Sequence, residues 1–588
     1  MRAPSEDNIN KWNSLLLKYL DVEIINNDFK NIFEANEAFD NWFSGYEINV
    51  YNNLIQRHLK INKNKNCIFY LNSNDNVENY TYLEIDFLVK KLVLEINFEH
   101  LEKIAIIGSP CPSTYISVLA SAYLGCHHTV LIPVLSRKSI ERRLEIFQPD
   151  IILNCSNKNF INHNNTLISK LEIEGRKIYL NGKLINLKEK RCPISSKRYK
   201  SNQPLFTLFT SGSTGFPKGI THSSIGYLLF SAYTANYYFN LDSKSLILCG
   251  SETGWINGHT YSIYAPLINS AASILISDPS YLSNPKYLED CIEKCNPSIL
   301  YLPVTTVRLL KAAYLNRKKR AFKCIKSLGT MGEMLAPSIE NWFGSQFSKI
   351  RLPIVNTYFQ TETGGILCAK TYKSNPGIKS GEIGFLPWYL SIESTCKELK
   401  LTSSIPGLMI GLYSNDFINI SNNYFKNGCF NLNDYGYISE SKLFVEGRTD
   451  DVLNIKGMRF TSGEIESSII SLDSIIECAA VEHKNKLGLS TLLLFIVSPD
   501  INNAHELTRI DHTKILLSEI RQQIINDIGT NLNISETVFV KSLPKTPSGK
   551  ILRRHLRKFQ YDQIRLNKQF TDKILLDKAV ELEVTHII

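Results

Sequence analysis

Between the apolar run PLFTLF and Ile220, the segment TSGSTGFPKG (Thr210 to Gly219) gathers small hydroxyl side chains, glycines and Lys218. Glycine lets the backbone turn its amide N–H groups toward one point, hydroxyls add donors, and an ammonium supplies positive charge. Those are the requirements for surrounding phosphate oxygens. The G-x-x-x-x-G-K-[ST] spacing of a Walker loop is missing, so the phosphate chemistry is of another kind. As a bare pattern, the segment also fits a Ser/Gly/Thr surface turn.

A phosphate loop of this kind needs a rigid sheet to launch it, and the chain supplies the pattern of one. Apolar β-rich runs (IAII, HHTVLIPV, IILNC, SLILCG, ASILIS, SILYLPV, LPIVNTY) alternate with helical stretches such as KYLEDCIEK and VRLLKAAYLNRKK. That alternation predicts an α/β fold with doubly wound, mixed or parallel sheets. From Ile104 to Leu135 there is no Asp, Glu, Lys or Arg, but SPCPST (Ser109 to Thr114) and Pro133 interrupt the run. It reads as a buried β-α-β unit, with strand IAIIG, helix TYISVLASAYLG and strand TVLIPV, and not as a membrane span. After Gly447 the texture shortens: SGEIESSIISL and ILLSEIRQQIINDI read as helices and CAAVEH and STLLLFIVS as strands, predicting a small α+β domain. The Asn-rich patches INKNKN and NSNDN read as loops, and there is no internal repeat.

Composition narrows the function classes. With 588 residues and 43 % hydrophobic content the chain can bury several cores. The formal charge of +10 is spread along the chain, and its densest run, Arg317 to Arg320, reads as the solvated end of a helix. Scattered charge of this kind argues against nucleic-acid binding. The 13 cysteines form no CxxC pair and no Cys/His cluster at zinc spacing. Reduced thiols are expected. The start, MRAPSEDNINKWN, has neither the basic nor the apolar part of a signal peptide, so a cytoplasmic protein is expected.

Further motifs follow the loop's lead. They are NWFSGYEINVYNNLIQRHL near the start, GWINGHTY (Gly254 to Tyr261), NTYFQTETGG (Asn356 to Gly365), GRTDDVLNIKGMRF (Gly447 to Phe460) and PKTPSGKILRR (Pro544 to Arg554). Together with the loop they resemble, over nearly the whole chain, the adenylate-forming superfamily of acyl-CoA synthetases, peptide-synthetase adenylation domains and beetle luciferases. NTYFQTETGG is similar to the D-T-W-W-Q-T-E-T-G-G, and GWINGHTY to the G-W-V-T-G-H-S-Y, of the acetyl-CoA and propionyl-CoA synthetase branch. The resemblance implies a large N-terminal multi-subdomain α/β domain (1–447), a hinge (448–450) and a small mobile C-terminal α+β domain (451–588). The activity it implies is ATP-dependent activation of a small carboxylic acid to an acyl-adenylate, followed by transfer to the thiol of CoA.

The same resemblance assigns roles. Thr210, Ser211, Gly212, Ser213, Thr214, Gly215 and Lys218 would hold the β- and γ-phosphates of ATP, and Glu362 would help bind Mg²⁺, which suits a hard carboxylate oxygen. Gly332, Glu333 and Met334, matching the family's G-E-P, would line the adenine. Asn356, Thr357, Tyr358, Phe359, Gln360 and Thr361 would close its other face. Asp434 has the lone pairs for both ribose hydroxyls. Arg448 would hold ribose or α-phosphate, and Arg459 would lie near the nucleotide. The acid pocket would be Trp255, Ile256, Asn257, Met331 and Phe359. Lys550 would be catalytic, its ammonium bridging the incoming carboxylate and the α-phosphate. A backbone rotation at Asp450 would then remove Lys550 and bring the segment near Gly457 to the thiol side, beside Asn257 and Lys456.

This chain departs from the branch at two places. Phe359 stands where the acetate pocket has its second Trp and Asn257 where it has Thr, which makes room for a longer or polar-substituted acid. On the CoA side the Arg-rich segment falls near NCSNKNFINHNN, which has no Arg. A second arginine position is Ile525, and the Ser of V-S-G-H-R is Lys456. Around Asp434 the usual Gly is Asn433 and the following hairpin is a residue short. Beside the CoA synthetase, two alternatives stand: an acyl-adenylate ligase loading a carrier-protein phosphopantetheine, and a non-catalytic relative that binds or regulates.

Overall fold

The charge-free stretch folds as its pattern predicts. Strand Lys103–Ile107 runs into helix Pro112–Leu124, which returns to the parallel strand His127–Leu131. Every residue of that helix is buried, so it has no polar face to present. Proline at its first turn and Gly125 in the left-handed region just past its end set its limits.

A computed structural model describes the chain apart from residues 26–31, 35–39, 73–75, 97–100, 157–166, 175–176, 181–182, 185–194, 212–216, 315–316, 414–423, 427, 456–457, 485–489, 503–505, 529–531, 533, 546–550, 558–572, 578–579 and 588. Among the described residues two large sheets carry the first part of the chain. One is nine-stranded, with Ile151–Asn154, Lys103–Ile107, His127–Leu131, Pro204–Ser211, Pro217–Ser223 and Gly411–Tyr413 adjacent in that order. The other is seven-stranded, with a parallel centre of Ile354–Asn356, Ser327–Met331, Ile299–Pro303, Leu246–Cys249 and Ala272–Ile276. A third, antiparallel sheet is built on Cys429–Ser439 and Lys442–Arg448. After it come the hairpin Val452–Ile455/Met458–Thr461, helix Ser462–Ile470 and a five-stranded sheet led by Glu477–Lys484 and Ser490–Val497. The fold is therefore mixed α/β with a small C-terminal α+β part, and no helix among the described residues is long and apolar enough to cross a membrane.

Three local expectations need correction. Helix Val304–Ala313 ends before the basic run, and Arg320 instead pairs with Glu289 and Glu293 of helix Pro285–Cys295. Ion pairs across to a neighbouring helix serve Arg320 as well as solvent would. The INKNKN patch is only partly loop, because Ile61 and Asn62 close helix Arg57–Asn62 and Asn66 opens strand Asn66–Leu71. The second C-terminal helix starts at Glu506, nine residues before the apolar periodicity becomes visible.

Candidate active site

Thr210 and Ser211 end strand Pro204–Ser211, and Lys218 lies early in its antiparallel neighbour Pro217–Ser223, with Thr210 directly opposite Lys218. The motif's ends are thus strand residues. Gly212, Ser213, Thr214 and Gly215 lie outside the described residues. Gly219 is required by packing: a Cβ there would meet Thr207 at 2.8 Å and Tyr413 at 2.9 Å.

NTYFQTETGG leaves the end of strand Ile354–Asn356 and is fixed by hydrogen bonds on both sides. Thr330 donates to the Asn356 side chain at 3.0 Å, Thr357 donates to the Thr330 carbonyl at 2.9 Å, and the Tyr301 and Thr357 hydroxyls meet at 2.7 Å. Thr361–Thr363 forms one helical turn whose Thr361 carbonyl accepts from His222 Nε2 at 2.7 Å. The Glu362 carbonyl accepts from the Met409 amide at 2.8 Å. The Glu362 carboxylate is half-buried and its Oε1 accepts the hydroxyl of Tyr424. Tyr424 stacks on Phe430, with centroids 5.5 Å apart, and the Lys218 ammonium lies 5.6 Å from its ring centre. Lys218 and Glu362, expected at the phosphate end, are therefore brought together through a tyrosine that nothing in the sequence pattern singles out.

Asp434 is buried and crowded with donors. Its Oδ2 accepts the Tyr358 hydroxyl at 2.7 Å and the Gln360 amide at 2.5 Å, while Arg448 Nη1 lies 3.2 Å from Oδ1. Burial pushes its carboxyl above the usual range, and the Arg448 charge and the two donors work against that. Asn433 has φ of +53°, in the left-handed region where the family's glycine would sit and which Asn tolerates better than most residues. Glu440 and Ser441 are also left-handed, making the tight turn between Cys429–Ser439 and Lys442–Arg448, which accounts for the short hairpin.

On the expected adenine side, Gly332 has φ of +92° and a Cβ built there would meet nothing within 4 Å, so this backbone faces open space. The Glu333 carboxylate is tied to the buried Arg308 and accepts the Thr305 hydroxyl at 3.2 Å. Met334 packs toward Gly381 and Gly463, where its side-chain atoms would stand 3.8 and 3.1 Å from an added Cβ.

Two of the motifs expected at the acid pocket clasp each other directly. Trp255 precedes the short helix Ile256–Gly258, which continues into a π-helix, His259–Tyr264, a form common where function distorts a helix. Thr260 donates to the Gly364 carbonyl at 2.9 Å, and the Tyr261 hydroxyl accepts from the Ile366 amide at 2.9 Å. Phe359 meets Tyr261 edge-on at 5.8 Å and packs on the cluster that includes Met331 and Cys249. The Cys249 thiol in turn touches the Asn257 carbonyl.

Of the C-terminal candidates, Lys456, Gly457 and Lys550 lie outside the described residues, as do the side chains of Asp450 and Arg459. Their surroundings are described. Arg553, three residues after Lys550, pairs with Glu466 through Nε and Nη2 and with Asp451 through Nη1 at 3.3 Å. Ile525, at the expected CoA position, is 37 % exposed. A metal test follows from the donors. Among the described residues no three His, Cys, Asp or Glu converge, so there is no all-protein cage. A single half-buried carboxylate with one oxygen uncommitted among the described residues fits Mg²⁺, which commonly takes one or two carboxylates and fills its shell with phosphate and water.

Residues 55–393 match the family described as AMP-binding enzyme, and residues 464–550 match the AMP-binding enzyme C-terminal domain. An acetyl-coenzyme A synthetase of Magnetococcus marinus is 28 % identical over 582 residues, covering 90 % of this chain and 87 % of that protein. One from Cryptosporidium parvum is 28 % identical over 559 residues, covering 88 % and 80 %. Among solved structures, acetoacetyl-CoA synthetase from Streptomyces lividans superposes with a TM-score of 0.75 at 15 % identity, covering 95 % of this chain and 90 % of that one. An anthranilate CoA ligase in complex with anthranoyl-AMP gives 0.69 at 16 %, covering 89 % and 97 %.

Proposed function

The chain belongs to the AMP-binding enzyme family, and from that premise we propose that it is an AMP-forming acid–CoA ligase acting on a short-chain carboxylic acid. The acid's carboxylate oxygen attacks the α-phosphorus of ATP and expels pyrophosphate. The thiol sulfur of CoA then attacks the acyl carbon, loses its proton and expels AMP. Little covalent chemistry falls to the protein in either step, so positioning and charge neutralisation carry the catalysis.

The observation that supports this reading best is the meeting of Lys218 and Glu362 on one tyrosine, close to the buried Asp434 and its partner Arg448. Lys218 takes phosphate oxygens and Asp434 the ribose, with Oδ1 as its less committed oxygen. Glu362 would hold Mg²⁺, which when bound would supply positive charge against the phosphates. Lys550 holds the carboxylate against the α-phosphate, residues 448–450 act as the hinge, and 1–447 and 451–588 are the two moving parts. Every described cysteine is free, in keeping with a cytoplasmic protein. Carrier-protein loading is the second reading, favoured by Ile525, an exposed apolar side chain where CoA recognition would want an arginine.

ATP–pyrophosphate exchange over C2 to C6 acids tests the reading. Phe359 leaves more room than Trp, so propionate or a four-carbon acid should be used at least as well as acetate, and Phe359→Trp should shift preference back. Each added buried methylene contributes roughly 0.8 kcal/mol, about fourfold in kcat/KM. No exchange with any acid would leave the non-catalytic reading standing. Thioester formation with CoA, dephospho-CoA and a phosphopantetheinylated carrier then decides the acceptor.

A further inference from the structure

Tyr424 has the contacts of a working part of the phosphate end, although no motif contains it. It is only 5 % exposed. Its ring lies nearly parallel to Phe430, interplanar angle 14°, so its plane is fixed by a fully buried neighbour. Its hydroxyl donates to Glu362 Oε1, and its face looks toward the Lys218 ammonium at a distance where cation–π attraction acts. Glu362 itself sits on a single helical turn of three residues, too short to hold a carboxylate rotamer unaided.

We propose that Tyr424 is a positioning residue for the cation-binding carboxylate: its hydroxyl engages Oε1 and presents Oε2 of Glu362 to the Mg²⁺ of Mg·ATP. This rests on the reading above, in which Glu362 holds that cation. Hydrogen-bond partners of ligating carboxylates orient them, and losing one typically costs about 10–100-fold in metal affinity or activity. Binding of ATP without the metal does not use Oε2, and should not depend on the phenol.

The test is Tyr424→Phe, which keeps the ring on Phe430 and beneath Lys218 and removes only the hydroxyl. ATP binding is measured calorimetrically with Mg²⁺ and again with EDTA, alongside Tm and the Mg²⁺ dependence of pyrophosphate exchange. The expected result is a loss of about 10–100-fold in Mg·ATP affinity, with metal-free ATP binding unchanged. Equal losses in both conditions would mean a merely structural tyrosine and overturn the proposal, and so would unaltered Mg·ATP binding. Glu362→Gln separates the levels. If it too loses affinity only with Mg²⁺ while Tyr424→Phe does not, the tyrosine's role fails and the carboxylate's stands. If Glu362→Gln has no Mg²⁺-selective effect, the reading of Glu362 fails.

Discussion

Asp434 receives Tyr358 and Gln360 on one oxygen and Arg448 on the other, inside a site where burial alone favours the neutral acid. Donors to the ionised form are what keep such a group charged. Tyr358→Phe removes one of them and leaves the ring in place. With a donor lost, the Asp434 pKa rises, so ATP binding that needs the carboxylate should fall away at a higher pH than in the unmodified protein. A hydrogen bond to a charged group contributes roughly 1.5–3 kcal/mol, which corresponds to about one to two pH units. Measuring the ATP Kd from pH 5 to 8 checks this, and superimposable profiles would show that the phenol does not hold the charge. Asp434 was singled out by the resemblance of NDYGY to a known motif, weakened there by Asn433 and by a hairpin one residue short. Its donor arrangement was not, since Tyr358 lies 76 residues away and nothing local couples the two. Tyr424 and Arg308 were invisible for the same reason. Each meets its carboxylate across the fold, Tyr424 from 62 residues away and Arg308 from the ordinary helix Val304–Ala313.

Elements were easier to read than their ends. Apolar periodicity located helix Ser462–Ile470 and strands Glu477–Lys484 and Ser490–Val497, because alternation and 3.6-residue spacing are local properties. It did not show where helix Val304–Ala313 stops, since the basic residues beyond it find acids on another helix. Caps settle such ends, and Thr461 is one with a consequence. Its hydroxyl accepts the Glu464 amide at 3.1 Å and donates to the Glu446 carbonyl at 2.6 Å, tying the helix to the strand that ends at Arg448. Thr461→Ala should cost about 1–2 kcal/mol in urea unfolding, and Thr461→Ser much less; equal losses in the two would point to the methyl group instead. Three residues after Lys550, Arg553 is anchored to Glu466 and Asp451. On the proposed reading Lys550→Ala abolishes pyrophosphate exchange and leaves thioester formation from supplied acyl-adenylate largely intact. Parallel loss of both half-reactions would remove the lysine from its role.

At the scale of the molecule, the alternation of strands and helices announced an α/β fold, but not which strands become neighbours. Ala272–Ile276 pairs with Asn66–Leu71 from the far end of the chain, and Pro217–Ser223 with Gly411–Tyr413, choices made by long-range packing that no local window contains. That packing buries His58, His127, His128, His222 and His259 together with their aromatic neighbours. Burial lowers all five: His58 and His222 to about 4, His127 and His259 to about 3, and His128 well below its ordinary value, with His259 beside it. Each is neutral when folded and free to protonate near 6.5 when unfolded, so its stabilisation is complete above that pH. As pH falls the unfolded chain takes up protons that the folded one refuses, and stability drops by about 1.4 kcal/mol per pH unit for each group, roughly 7 for all five. Glu252 works in the opposite sense, since burial raises it to about 8 and its folded form gains a proton below that. Buried Asp434 and half-buried Glu464 are raised as well and act with it, so three carboxylates oppose five histidines. Stability is typically only about 5–15 kcal/mol, so the excess of buried histidines should erode it progressively as pH falls below 6.5. Tm followed from pH 7.5 to 4.5 at constant ionic strength should therefore be flat at first and then fall steeply. A Tm that stays level down to pH 4.5 would mean that the buried imidazoles accept protons in place, and that the histidine core does not set the acid limit of the fold.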